Sequence, residues 1–368
     1  MAAALVAVHS TDPASVVVAV WARLADRAAT AAEVERALYE ERTLLRLMGM
    51  RRTMFVVDRE VAPVVHAACS LTVAARERTK LMKFMAADGV GGRAPEKWLA
   101  GAEEAALAAL TSLGEATATE VAAADPRLSQ ELTVGTGTWS AKQKIASRIL
   151  LVLAAEGRVV RARPRGSWTS TQFRWSALEI WAGAPLAELA PEEAEAELAR
   201  RWLGAYGPAR PEDLQWWAGW TVRQTRRALA AVGAVAVELE DGADGVVLAD
   251  DVEPIGAVAP WVALLPALDA TPMGWKHRDW YLGAHAELVY DVNGNAAPAV
   301  WADGRIVGGW TRRPSGEIAV KLLEDVGAEA TAAIGAEAAA LAPRLGDATL
   351  APRARGYAPV EKELLAAP

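Results

Sequence analysis

ATATEVAAADPRLSQELTVGTGTWSAKQKIASRILLVLAAEGRVVRARPRGSWTSTQFRW, residues 116–175, is the stretch on which the fold turns. A short helix is expected over 117–124, ending at Asp125 and Pro126. A loop carrying Gly135 and Gly137 follows. A second helix is expected over 140–156, with Gly157 as its C-cap. Two strand-like runs, 158–163 and 169–175, are joined by a turn at Pro164, Arg165 and Gly166. Helix, turn, helix, hairpin is the order of a winged helix, whose second helix lies in a DNA groove with the hairpin beside it.

Charge points the same way. Residues 138–175 hold eight Lys or Arg (Lys142, Lys144, Arg148, Arg158, Arg161, Arg163, Arg165 and Arg174) against one acid, Glu156. That net +7 sits in a chain of net charge −7, so the remainder carries −14. A chain segregated in this way can hold a polyanion on one face and stay dispersed through the rest. A solvated strand pair with incidental charges is the alternative. The sequence pI near 5.4 argues against indiscriminate coating of nucleic acid but leaves room for a local basic groove.

Working outward, the pattern recurs. Before the central stretch, Asp12 and Pro13 start a helix to about Leu24, with Asp12 as N-cap and Pro13 at N1. A second helix runs over 30–41, with Thr30 and Glu33 in a capping-box pattern. Strands follow at 43–50 and 52–57, and their hairpin carries Arg46, Arg51 and Arg52. Asp58 then caps a helix running past Lys80. Its later cations Arg76, Arg78, Lys80 and Lys83 suit a solvated face or phosphate contact equally. After the central stretch, 211–219 and 221–232 form a third helix pair, followed by strands at 234–239 and 246–248. The acids of 238–253 would repel phosphate there. Trp216, Trp217 and Trp220 read as core.

The C-terminal part differs. Short strands are expected at 262–265, 285–290, 298–301, 305–310 and 317–320, with hairpin turns at Asn293 and Gly294 and at Asp303 and Gly304. A helix over 326–341 and a weakly ordered tail follow. The fold class is therefore α+β: three tandem winged helices, over 1–88, 94–185 and 186–256, and a small sheet or partial barrel over 257–368. The apolar opening of the chain reads as the middle of a helix, so a preceding helix is expected to be missing.

Other chemistry is sparse. The single cysteine, Cys69, reads as a buried thiol in a reducing cytoplasm. No apolar run approaches the ~20 residues of a membrane span. Residues 1–9 lack the positive lead of a signal peptide. His9, His66, His277 and His285 match no standard metal spacing, so no metal and no cofactor is expected. No phosphate-binding Gly-Lys-Ser/Thr loop or dinucleotide fingerprint is present. His277, Asp269 and Asp279 form a polar group beside aromatic residues, read as a hydrogen-bonded loop.

Four stretches in this order carry a family resemblance: VHSTDPASV at 8–16, LLRLMGMRRTMFVV at 44–57, LLPALDATPMGW at 264–275 and ADGRIVGGW at 302–310. Together they resemble the winged-helix DNA-binding proteins related to the bacterial DNA glycosylases AlkZ and YcaQ. The resemblance implies three tandem winged helices and a terminal β domain around a basic cleft. It also implies hydrolysis of the N-glycosidic bond of alkylated or crosslinked purines. Family members carry Gln-x-Gln or Gln-x-Asp just ahead of an Asp-Pro helix start. Here the matching positions are His9 and Thr11, ahead of Asp12 and Pro13. His9 would act as general base and Thr11 would hold the water, with Asp12 a second candidate base. Arg51 and Arg52 match an Arg-Gly-Thr hairpin, with Arg52 at the glycine position.

The DNA-contacting set is then Arg46, Arg51, Arg52, Lys142, Lys144, Arg148, Arg161, Arg163, Arg165 and Arg174. The expected partner is double-stranded DNA, damaged or not, bound by a cytoplasmic, nucleoid-associated monomer. Loss of the glutamine motif leaves three readings: a metal-independent glycosylase, a non-catalytic DNA-binding regulator or lesion sensor, and a protein–protein scaffold.

Overall fold

The computed structural model describes residues 1–24, 29–135, 137, 140–350 and 356–367. The chain divides into two compact units. One comprises Met1–Val34, Ser167–Thr169 and Ala199–Pro368; the other comprises Glu35–Gly166 and Ser170–Leu198. Among the described residues, no helix is long and apolar enough to cross a membrane.

Three helix–helix–hairpin segments follow one another in a mixed α/β chain. The first has helices Pro13–Trp21 and Ala31–Tyr39 and strands Leu44–Met48 and Met54–Asp58. The second has helices Ala118–Ala124 and Ala146–Ala155 and strands Val159–Arg161 and Trp175–Ala177. The third has helices Pro211–Ala218 and Val222–Ala231 and strands Val235–Glu238 and Asp244–Val247.

Local chemistry explains the helix starts. Asp12 accepts from Ala14 N at 3.2 Å and from Ser15 Oγ at 2.7 Å. Thr30 N donates to Glu33 at 2.6 Å, and Thr117 and Thr221 close capping boxes with Glu120 and Gln224.

In the second unit, the Leu71–Ala87 and Pro95–Leu113 helices pack around the Ala146–Ala155 helix. Leu81, Leu99, Leu110, Leu132, Ile149 and Leu150 are at most 2% exposed in that core. Each such side chain contributes about 1.5–3 kcal/mol of burial. Cys69 is a buried free thiol, on a π-helical turn His66–Ser70 that leads into Leu71–Ala87.

The first unit holds a four-stranded antiparallel meander in the order Val262–Leu265, Ala299–Ala302, Arg305–Arg312, Ile318–Leu322. Its register pairs Leu264 with Val300 and Trp310 with Val320. Asp303 and Gly304, both at positive φ, make the tight turn between the middle strands. Trp310 is fully buried and donates from Nε1 to Leu265 O at 2.8 Å. Trp217 and Trp220 are buried, as core residues should be.

Five local expectations need correction. Residues 2–5 form turns rather than helix, because Val6 takes φ +62, a left-handed conformation that stops helical winding. The helix expected from 140 begins at Ala146, and Lys142 and Lys144 instead lie on Ala141–Lys144, a strand paired with Glu131–Val134. Apolar side chains that a helix could bury begin only at Ile145. The strand expected over 169–175 is Trp175–Ala177; Pro164 lacks the N–H that would extend the ladder. Residues 286–289 are a helical turn, not a strand, in keeping with Ala, Glu and Leu. The tail contains a packed helix, Pro359–Ala366, whose Val360 and Leu364 join the sheet's core. Val360 lies 2.7 Å from where a Cβ on Gly309 would be, so only glycine admits this approach.

Candidate functional site

In the second unit, the Leu44–Met48 and Met54–Asp58 strands turn at Arg51 and Arg52, both in the left-handed region (φ +52 and +63). Thr53 N closes the turn on Met50 O at 3.0 Å. Arg52 Nε pairs with Glu77 at 2.7 Å. Arg148, near the start of the Ala146–Ala155 helix, is held by Gln143. That amide, oriented oxygen-inward, accepts from Arg148 Nε at 2.6 Å. Burial lowers the Arg148 pKa, and the positive charge of Arg52 lowers it further, so the two guanidinium groups are electrostatic neighbours. The Phe84 ring centre lies 5.8 Å from the Arg148 guanidinium and 5.9 Å from the Lys80 ammonium. Arg76, Lys80 and Lys83 are exposed along one face of their helix. Arg148 and Lys80 therefore share the Phe84 ring, and Arg52, paired with Glu77, is an electrostatic neighbour of Arg148.

Lys142 is mostly exposed, 3.9 Å from Glu131, and Lys144 is exposed on the same strand. Arg46 lies elsewhere. It is 2% exposed, donates to the Tyr39 hydroxyl at 3.4 Å, and lies 5.1 Å from the Phe173 ring centre. Burial of that kind withholds it from a surface phosphate.

The Val159–Arg161 and Trp175–Ala177 hairpin carries four of the expected arginines. Three of them are held by glutamates from outside the hairpin: Arg163 by Glu40 at 2.9 Å, Arg174 by Glu115 at 2.9 Å, and Arg165 by Glu120. Charge counted along 138–175 therefore overstates what this hairpin offers to a polyanion. Arg161 differs: its guanidinium lies over the rings of Phe173 (4.2 Å) and Trp175 (5.1 Å).

In the first unit, His9 ends the Val8–His9 strand and is 8% exposed. Ser10 is fully buried, its hydroxyl without a hydrogen-bond partner among the described residues. Thr11 is exposed. Asp12 is half-buried and commits both carboxylate oxygens to the helix N-terminus. In this strip the Thr11 hydroxyl faces solvent, the His9 imidazole is buried, and the Asp12 carboxylate is already occupied. The polar group expected at 269–279 is split. Asp269 is buried and takes both Nη atoms of Arg23, at 2.6 and 2.8 Å, and His277 Nδ1 lies 3.0 Å from Asp213. Asp279 is exposed. Among the described residues, no three His, Cys, Asp or Glu side chains are grouped to hold a metal ion.

Glu40, Glu77, Glu115 and Glu120 were not singled out by sequence reasoning. Only Glu120 carried a local sign, its place three residues after Thr117.

This geometry defines a mixed α/β chain with repeated helix–helix–hairpin segments and a cationic face. A family model described as DNA glycosylase AlkZ-like matches residues 2–344. The chain belongs to that family. An interstrand DNA cross-link repair glycosylase of Streptomyces sahachiroi is 30% identical over 128 residues, covering 33% of this chain and 34% of the relative. The alignment thus spans about a third of that relative's length. The solved structure of Streptomyces sahachiroi DNA glycosylase AlkZ superposes with a TM-score of 0.70 at 22% identity, covering 95% of this chain and 92% of the other. The two share a fold.

Proposed function

We propose that this protein binds duplex DNA in repair, and that it hydrolyses the N-glycosidic bond of an alkylated or crosslinked purine without a metal. The pairing of Arg148 and Lys80 at Phe84, with Arg52 an electrostatic neighbour of Arg148, in a chain of this family, carries the reading. In this reading the three helix–helix–hairpin segments are winged helices, bounded at 1–88, 94–185 and 186–256, ahead of the 257–368 β domain. The protein works as a cytoplasmic monomer. Exposed Lys142, Lys144 and Arg52, with half-buried Arg51 and Arg148, take backbone phosphates.

For the chemistry, Thr11 holds a water and His9 accepts its proton as the oxygen adds to C1′. The C1′–N bond breaks and its electron pair leaves with the purine. A purine made cationic by alkylation departs neutral. Asp12 stays with its helix.

Fluorescence anisotropy on a labelled duplex should show affinity falling steeply with salt, about −0.9 in the slope of log K for each phosphate contact. Alkylated duplex treated with the protein, then heat and alkali, should be cut at abasic sites. A flat salt response would remove DNA from the account.

A second reading is a non-catalytic lesion sensor. The engaged carboxylate of Asp12 and the burial of His9 favour it. Salt-dependent binding with no abasic sites above background would select it.

A further inference from the structure

Of the four hairpin arginines, Arg161 alone has no glutamate. Its Nε is buried without an acceptor, and no carboxylate among the described residues pairs with it. Phe173 and Trp175 wall it on one side, and Arg46 brings a second guanidinium to the same Phe173 ring. Burial lowers the Arg161 pKa to about 10, and repulsion from Arg46 adds to the effect.

Buried cations are ordinarily paired. A guanidinium stacked on an aromatic face keeps its edge donors in one plane, the arrangement that suits two oxygens of one oxyanion. The buried Arg46 adds positive potential beside Arg161 without reaching the surface, which favours a ligand with several negative oxygens over a lone carboxylate.

We propose that Arg161, backed by Arg46 and walled by Phe173 and Trp175, is a single-phosphate recess on the 159–177 hairpin. It rests on the DNA-binding reading only for the source of its ligand, which there is one internucleotide phosphate. Free phosphate or a terminal phosphate monoester shares the chemistry.

The test uses the full chain, Arg161→Met and Arg161→Lys. Thermal melting is followed in inorganic phosphate and in chloride at matched ionic strength. Phosphate should raise the wild-type melting temperature, raise Arg161→Lys less, and leave Arg161→Met unmoved. Arg161→Met without phosphate should melt at or above wild type, since it loses an unpaired buried cation. A second arm scans a duplex with single neutral methylphosphonates. One position should weaken wild-type binding about tenfold and weaken Arg161→Met no further.

Equal phosphate stabilisation of wild type and Arg161→Met overturns the recess, as does an Arg161→Met protein that melts well below wild type. Should Arg161→Met not fold, that premise has failed too. Phosphate stabilisation that needs Arg161, in a protein that does not retain duplex, supports the recess and removes the DNA reading. Steep salt-dependent duplex binding that Arg161→Met leaves unchanged in both arms keeps the DNA reading and removes the recess.

Discussion

Arg52 Nε lies 2.7 Å from the Glu77 carboxylate while its own backbone is left-handed, at φ +63. A residue with a Cβ is strained there by about 1–2 kcal/mol, and glycine is not. Substitution should therefore invert the usual order: Arg52→Gly should be more stable than Arg52→Ala by about 1 kcal/mol in urea unfolding. Both variants lose the guanidinium. In both, the salt dependence of duplex binding should become shallower by about 0.9 in slope. Equal stability of the two would contradict the left-handed turn.

Asp12 separates cap from catalyst. Asp12→Ala should cost about 1 kcal/mol, because Ala14 N and Ser15 Oγ lose their acceptor. Asn caps as well as Asp, so Asp12→Asn should melt close to wild type. Base release by Asp12→Asn should match wild type if the carboxylate only caps. A large loss with stability kept would make Asp12 the base.

His66 sets an acid limit. Burial holds its pKa below 6.5, opposed by its hydrogen bond to the Glu156 backbone. The unfolded chain takes up that proton first as pH falls. The contribution of neutral His66 is thus present above about 6.5 and lost as pH drops toward the folded value. Glu103, raised by burial, acts in the opposite sense. The comparison is therefore with His66→Leu, whose melting temperature should fall less than wild type between pH 7.5 and 5.5. Parallel curves would show that folding leaves the His66 pKa unshifted, against its burial.

The glutamates on the 159–177 hairpin restrain its charge. Glu40→Gln with Glu115→Gln frees Arg163 and Arg174. Duplex affinity at low salt should rise several-fold, and the salt slope should steepen by up to about 0.9 for each arginine that then meets a phosphate. Unchanged binding would place this hairpin off the duplex.

Much of this was legible where the information is local. Asp12 before Pro13, Thr30 with Glu33, and Gly304 after Asp303 each fix a cap or a turn within four residues. The Ala141–Lys144 strand was not legible. Lys, Gln and Lys are good helix formers, and the partner strand that overrides them begins ten residues earlier. The same holds for the hairpin arginines. Arg163 is 123 residues from Glu40, so a count along the chain cannot see its neutralisation. Pro359–Ala366 is too short to declare itself by periodicity and is held by the sheet it covers.

The make-up of the two units also sets an order of assembly. Glu35–Gly166 and Ser170–Leu198 form a nearly continuous body, whereas the other draws on both Met1–Val34 and Ala199–Pro368. As the chain leaves the ribosome, the body that carries Arg52 and Arg148 has all its parts while the sheet is still unmade. A nascent chain thus completes the unit that carries Arg52 and Arg148 before the unit that carries His9.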